Sequence, residues 1–103
     1  MNHQHWTKFS LIEQLANIGS EVERTILWRK KNNPDYSQKA FERSLELLDL
    51  TLKDSKNCQR LRELARLREV LVDYFWGENL YSSSDSLWQK YFLAFAYKAR
   101  RNI

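Results

Sequence analysis

The sequence predicts an all-α domain, built as an up-down-up-down four-helix bundle. Turn-forming residues are scarce, with only 2 Gly and 1 Pro among 103 residues, whereas all-β domains need them often. Hydrophobic residues make up 43% of the chain and recur mostly at helical spacing. Short polar breaks separate four such stretches, which favours antiparallel neighbours. The predicted helices span residues 10–31, 35–53, 58–76 and 85–101.

The first predicted helix begins at Ser10, because Ser10 and Glu13 form a capping-box pattern. Gly19 costs this helix about 1 kcal/mol of propensity, which indicates that a neighbouring helix packs closely there. Residues 1–9 are predicted to be a flexible N-terminal tail, and residues 10–103 a single helical-bundle domain. The inner stripe of the helix consists of Leu11, Leu15, Ile18, Val22 and Ile26.

The other helices follow from the same periodicity. Asn32, Asn33 and Pro34 break the chain before the second helix, and Gly77 is a natural C-terminal stop for the third. Residues 77–84 form the longest loop. The inner stripes of the second, third and fourth helices are predicted to be Phe41, Leu45, Leu48 and Leu52; Leu61, Leu64, Leu71, Val72 and Phe75; and Trp88, Tyr91, Phe92, Phe95 and Ala99.

Composition predicts a cytoplasmic protein. The single cysteine, Cys58, excludes an internal disulfide and is typical of a reducing compartment. The N-terminal residues lack an apolar signal core, and no apolar run is long enough to span a bilayer. The net charge of +4 is mildly basic, so nucleic acid is compatible with the composition but not implied by it.

No catalytic residue, metal site or cofactor is predicted. His3 and His5 lack a third ligand, and Cys58 has no histidine near it in sequence. Glu42, Glu46 and other carboxylates of the second helix spread over an exposed face without the histidines of a di-iron bundle. An enzyme is therefore the least supported class.

Arg68 departs from the pattern, because it projects between Leu64 and Val72 on the apolar face of the third helix. A buried arginine keeps its charge and needs an acidic or carbonyl partner, for which Glu23 is a candidate. One interpretation is a structural ion pair, or an aliphatic stem that reaches outward. The other is an anion or phosphate site within the bundle.

Two outward rows interleave basic and aromatic residues, which suits phosphate neutralisation and base stacking. Antiparallel packing places the basic ends of the two helices at opposite ends of the bundle and so splits the patch. The candidate nucleic-acid contacts are Arg24 and Lys31 beside Trp28, and Lys90 and Arg101 beside Tyr97.

The second predicted helix has an apolar arc of roughly 200°, wider than a surface helix needs. Leu50 points nearly opposite the core, and apolar surface left over after a bundle closes usually marks a protein interface, most commonly a two-fold dimer. The alternative is that this helix is deeply buried. The candidate partner surface consists of Trp28, Leu50, Leu93 and Tyr97.

Two resemblances accompany these patterns. The strings GSEVER, LELLDLT, REVLVDYFWGEN and WQKYF resemble a group of short bacterial helical proteins, which implies a compact helical fold in bacterial cytoplasm. The run Arg68–Tyr74 is similar to the RNxxVHxY motif of HEPN domains, helical bundles that often partner minimal nucleotidyltransferases and sometimes cut RNA. Asp73 stands where that motif has its histidine, and the two positions lie about 140° apart on a helix, so ribonuclease chemistry is not carried over.

The leading hypothesis is a non-enzymatic helical interaction protein that self-associates or binds a protein partner. The alternative is a nucleic-acid-associated, HEPN-like bundle of a defence or toxin–antitoxin system. An anion site around Arg68 is a third and less constrained reading.

Overall fold

Residues 3–101 fold into five α-helices and one 3₁₀ helix, and none of them forms a strand. The computed structural model describes residues 3–101. The all-α prediction is therefore confirmed, and α2 to α5 correspond to the four predicted helices. In chain order the helices are α1 His3–Trp6, α2 Leu11–Lys30, α3 Pro34–Lys53, the 3₁₀ helix Ser55–Arg60, α4 Leu61–Trp76 and α5 Asp85–Arg101.

The two longest helices begin where local side-chain chemistry directs. Ser10 and Glu13 form the predicted capping box, with the Ser10 amide 2.9 Å from a Glu13 carboxylate oxygen. At the start of α3 the side-chain oxygen of Asn33 accepts a hydrogen bond from the Tyr36 amide, 3.2 Å away. Pro34 follows as the first helical residue, a position that needs no amide donor.

Helix α2 is the centre of the fold, because it packs closely against both α3 and α5. Ser37, near the start of α3, donates a hydrogen bond of 2.8 Å to the Thr25 carbonyl in the second half of α2. Arg29, at the end of α2, pairs with Asp85 at the start of α5. These contacts make α2 antiparallel to both neighbours.

The structure shows an all-helical fold rather than a plain four-helix bundle. A fifth helix, α1, precedes the four predicted ones, and α4 packs closely on α3 but approaches α5 much less closely. An apolar cleft of about 410 Å³ separates α4 from α5. Its lining includes Leu67, Val70, Leu87, Trp88 and Tyr91.

The prediction of a flexible N-terminal tail is corrected for residues 3–9; Met1 and Asn2 lie outside the described residues. Trp6 is 0% exposed and belongs to the main hydrophobic core. Its indole Nε1 donates a hydrogen bond of 2.9 Å to the Thr51 hydroxyl on α3. The ring also meets Phe9 edge-on, with centroids 5.6 Å apart.

A buried polar cluster holds this N-terminal segment against the far end of α3. The Gln14 side-chain amide donates to the Trp6 carbonyl at 3.1 Å and to the Asp54 carboxylate at 2.9 Å. Asn57 in turn donates to the Gln14 side-chain oxygen at 3.0 Å, and the Lys56 ammonium pairs with Asp54. These groups satisfy one another, so their burial carries no large desolvation penalty.

The Asp54→Asn variant is expected to be less stable than the wild type by about 1–3 kcal/mol near neutral pH, because a buried charged acceptor is lost. Burial alone would raise the pKa of Asp54, but hydrogen bonds from Lys56 and Gln14 together lower this pKa below its ordinary 3.8. A lowered folded-state pKa contributes stability above the unfolded-state pKa, and this is lost as pH falls through the folded-state value.

The measurement is chemical denaturation of both proteins from pH 7 to pH 2. The stability gap should shrink below about pH 3.8. The exposed Glu42→Gln serves as the control and should show little gap at any pH. A gap for Asp54→Asn that is constant across this range would contradict the assignment.

Candidate interaction surface on helix α5

Helix α5 is seated on α2 through an unusually close approach at Gly19. A Cβ atom built at Gly19 would lie 2.6 Å from the Cβ of Phe92, so only glycine leaves room for this packing. Close packing was the reason that the sequence predicted for this glycine. Trp88 and Phe92 are buried at the contact, and Gln89 donates a hydrogen bond of 3.2 Å to Glu23.

The start of α5 is fixed by a second set of contacts. The Asp85 carboxylate accepts hydrogen bonds from the Tyr74 hydroxyl of α4 at 2.7 Å and from the Arg29 guanidinium of α2. Burial raises the pKa of Tyr74, and the hydrogen bond to Asp85 raises it further. The phenol therefore stays protonated and remains a donor throughout the neutral range.

With its inner side fixed, α5 presents a continuous outer face to solvent. Leu87, Leu93 and Tyr97 on this face are 56%, 61% and 60% exposed. At 100° per residue, the members fall within an arc of about 140°. We call this surface the outer face of α5; it consists of Leu87, Lys90, Leu93, Ala94, Tyr97, Lys98 and Arg101, all of them exposed.

The charge of the chain is concentrated on the same helix. Residues 86–101 contain four basic residues and no acidic one, while the rest of the chain carries 13 basic and 13 acidic residues. Residues 86–101, which are all of α5 after Asp85, therefore account for the whole net charge of +4. None of these four cations forms an ion pair with a described carboxylate. They are Lys90, Lys98, Arg100 and Arg101.

Leu93 forms a ridge between two depressions. On one side is a groove of about 500 Å³ shared with α2, which includes Ser20 and Glu23 in its lining. On the other side is a shallower depression bordered by Lys90 and Tyr97. The Arg101 guanidinium lies 5.7 Å from the centroid of the Tyr97 ring. Alternating ridges and grooves of this kind are what a packed helix engages.

Arg68 pairs with Asp49 rather than with Glu23, which the sequence offered as a candidate partner. The Arg68 guanidinium donates to Asp49 on α3 at 2.8 Å, and Glu23 instead accepts from Gln89. Leu64, Leu67 and Leu71 form the buried stripe of α4, whereas the predicted stripe omitted Leu67. The helix is rotated accordingly, and Arg68 lies at the edge of the core, half-buried.

Two predicted partner-surface residues are partly covered. Leu50 is partly buried and packs against the hydrophobic core instead of pointing away from it. The Trp28 ring meets Tyr36 edge-on with centroids 4.9 Å apart, and the Lys31 ammonium lies 5.2 Å from the Trp28 centroid. Arg24 pairs with Glu21.

The four predicted nucleic-acid contacts do not form one patch. The contact of Arg29 with Asp85 places the end of α2 beside the start of α5. Lys31 therefore lies near the start of α5, and Arg101 at its far end. Leu93, Tyr97, Lys90 and Arg101 are brought together on α5, whereas Trp28 and Lys31 lie elsewhere.

Asp73, near the end of α4, holds the loop that follows this helix. Its carboxylate accepts hydrogen bonds from the amides of Leu80 at 2.9 Å and Tyr81 at 3.0 Å. The Tyr81 hydroxyl donates a hydrogen bond of 2.7 Å to the Glu69 carboxylate on α4. The loop 77–84 is thereby tied to α4 by side chains of that helix.

No three His, Cys, Asp or Glu side chains among residues 3–101 lie together in a way that could hold a metal ion. Cys58 is exposed. No helix in the described range has the length and apolarity needed to cross a membrane.

Comparisons with known proteins add no family to this description. No protein-family model matches the chain, and neither a curated protein nor a solved structure matches it significantly.

Sequence reasoning missed part of the outer face of α5. Leu87 and Lys98 belong to it, and Tyr91, which was predicted to face inward, is 41% exposed beside the cleft to α4. The sequence did contain one signal for this face, which is its charge. No acidic residue follows Asp85, and in this respect α5 differs from the other long helices.

Proposed function

We propose that this chain is a non-enzymatic helical interaction protein that binds a protein partner through the outer face of α5. Its long helices act as an up-down-up-down scaffold that holds this face rigidly. The observation that carries the proposal is the group of three large apolar side chains, Leu87, Leu93 and Tyr97, each more than half exposed on one outer face of α5. Exposed apolar side chains that share a surface with polar groups are typical of protein interfaces.

The test is site-specific photo-crosslinking in cells that express the protein. A photo-reactive residue at position 93 is expected to give a discrete protein adduct, and the additional Tyr97→Ser change should reduce it. The matched control is position 80, because Leu80 is 78% exposed but lies in the loop 77–84 and not on α5. Equal labelling from both positions would argue against a specific surface on α5.

A second candidate, a nucleic-acid-associated bundle, is favoured by the four α5 cations without carboxylate partners and by the neighbouring Tyr97. Its binding to a single-stranded RNA should weaken steeply with salt, and Lys90→Ala should reduce the salt slope by about one phosphate contact. RNA binding that is absent at low salt removes this candidate.

A further inference from the structure

We propose that the partner bound by the outer face of α5 is an acidic amphipathic helix of a different protein. This inference rests on the proposed function and specifies the chemistry of the partner. It follows from the charge of the face, from the arrangement of that charge among the apolar residues, and from the shape of the surface around Leu93.

Charge complementarity is the first argument. The face carries Lys90, Lys98 and Arg101, no carboxylate, and no ion pair to a described neighbour. A partner with carboxylates spaced to meet these cations would gain attraction and faster association. Glu23, the acidic residue bordering the groove beside Leu93, already accepts a hydrogen bond from Gln89.

The same charges disfavour a second copy of this chain on this face. A two-fold interface places the same patch on both subunits, so cations would face cations across it. Like charges opposed at an interface are strongly unfavourable. The partner is therefore expected to be a different chain.

The position of the charges disfavours a lipid surface. A membrane-surface helix buries an apolar face and keeps its lysines on the opposite, polar face. Here Lys90 and Arg101 lie between Leu93 and Ala94 in angle, inside the apolar arc. Insertion of that arc into a bilayer would carry both cations with it.

Shape and residue type favour a protein helix over nucleic acid. Leu87, Leu93 and Ala94 are aliphatic and cannot stack on bases, and Tyr97 has the Arg101 guanidinium close to its ring. Leu93 stands between two depressions that side chains of a crossing helix can enter. Helix α5 has 17 residues and a length of about 26 Å, enough for several turns of a partner helix.

The test is an unbiased selection from a displayed library of helical 18-residue peptides with randomised apolar, acidic and basic positions. Wild-type protein is the bait, and the charge-reversed Lys90→Glu/Arg101→Glu variant is the counter-selection. Both side chains are exposed, and a matching thermal melt confirms that the variant folds. Enriched peptides are expected to be acidic, with apolar residues at helical spacing.

The best enriched peptide should bind the wild type roughly tenfold more tightly than the double variant, and less tightly as salt rises. The same peptide with its Glu residues changed to Lys should bind the double variant again, and this result would show that the variant lost affinity through its charges and not through misfolding. Leu93→Ser should weaken both the binding of the acidic peptide to the wild type and the binding of the basic peptide to the double variant.

Several results overturn the inference. Enriched peptides that are neutral or basic but still need Leu93 would leave the interaction function standing and reject the acidic partner. No peptide that binds the wild type, with or without the counter-selection, would reject both. If the protein bound single-stranded RNA or vesicles with anionic lipid more tightly than the best peptide, the face would be assigned to those ligands. If the protein formed a concentration-dependent dimer that Leu93→Ser abolished, the face would be assigned to a second copy of the chain.

Discussion

Trp6→Ala is expected to lower the free energy of unfolding by about 3–5 kcal/mol, a large part of the total stability of a domain this size. The ring is 0% exposed in the main core, and its Nε1 donates to Thr51. Removing it leaves a cavity, and the buried Thr51 hydroxyl loses a donor. The measurement is urea denaturation followed by far-UV circular dichroism.

Two further variants keep this prediction testable if Trp6→Ala does not fold. Trp6→Phe retains most of the apolar volume and loses the hydrogen bond, so it should cost clearly less. Trp76→Ala removes a tryptophan that is 53% exposed and meets Phe41 edge-on, and it should also cost less than Trp6→Ala. Equal losses from Trp6→Ala and Trp76→Ala would mean that the N-terminal segment does not pack as the structure has it.

Gly19→Val should destabilise the protein by about 1–3 kcal/mol or more, because α2 and α5 cannot keep their separation. A new Cβ would lie 2.6 Å from the Cβ and 2.8 Å from the Cγ of Phe92, and the two methyl groups of valine add further bulk. The neighbouring residue Ser20 is exposed, so Ser20→Val places the same β-branched side chain on α2 without the collision.

A double-mutant cycle with Phe92→Ala identifies the cause. If the collision with Phe92 is responsible, Gly19→Val should cost less in the Phe92→Ala background than in the wild type. Phe92→Ala keeps the Cβ that would lie 2.6 Å away, so strictly additive losses would show that the ring atoms beyond Cβ do not cause the loss.

Local signals made the helices predictable. The Ser10–Glu13 capping box and the Asn33–Pro34 break act within one turn, and Gly19 is informative because glycine inside a helix needs a packing reason. These features depend on neighbours in sequence or on one helix surface, which periodicity describes well.

Contacts between distant residues were not predictable in the same way. The burial of Trp6 depends on Thr51 and Gln14, and polar partners of this kind leave no periodic trace. The error at Arg68 arose because the predicted stripe of α4 omitted Leu67. At 100° per residue, the buried stripe that includes Leu67 is centred roughly 60° away from the predicted one.

The candidate surface was predicted in part for the same reason. The exposure of Leu93 and Tyr97 follows from helical geometry once the inner stripe of α5 is known. The covering of Trp28 by Tyr36 and the burial of Leu50 depend on how α3 docks, which the sequence of either helix alone does not specify.

The central position of α2 has a consequence for the order of events during synthesis. One side of α2 is covered by α3, which follows it after a short connection. The other side is covered only by α5, whose Phe92 is synthesised 73 residues after Gly19. A nascent chain that has released only α2 and α3 therefore holds a helical hairpin with an uncovered apolar stripe. Such a stripe is the kind of surface that chaperones recognise and that promotes aggregation, and its exposure lasts until α5 emerges.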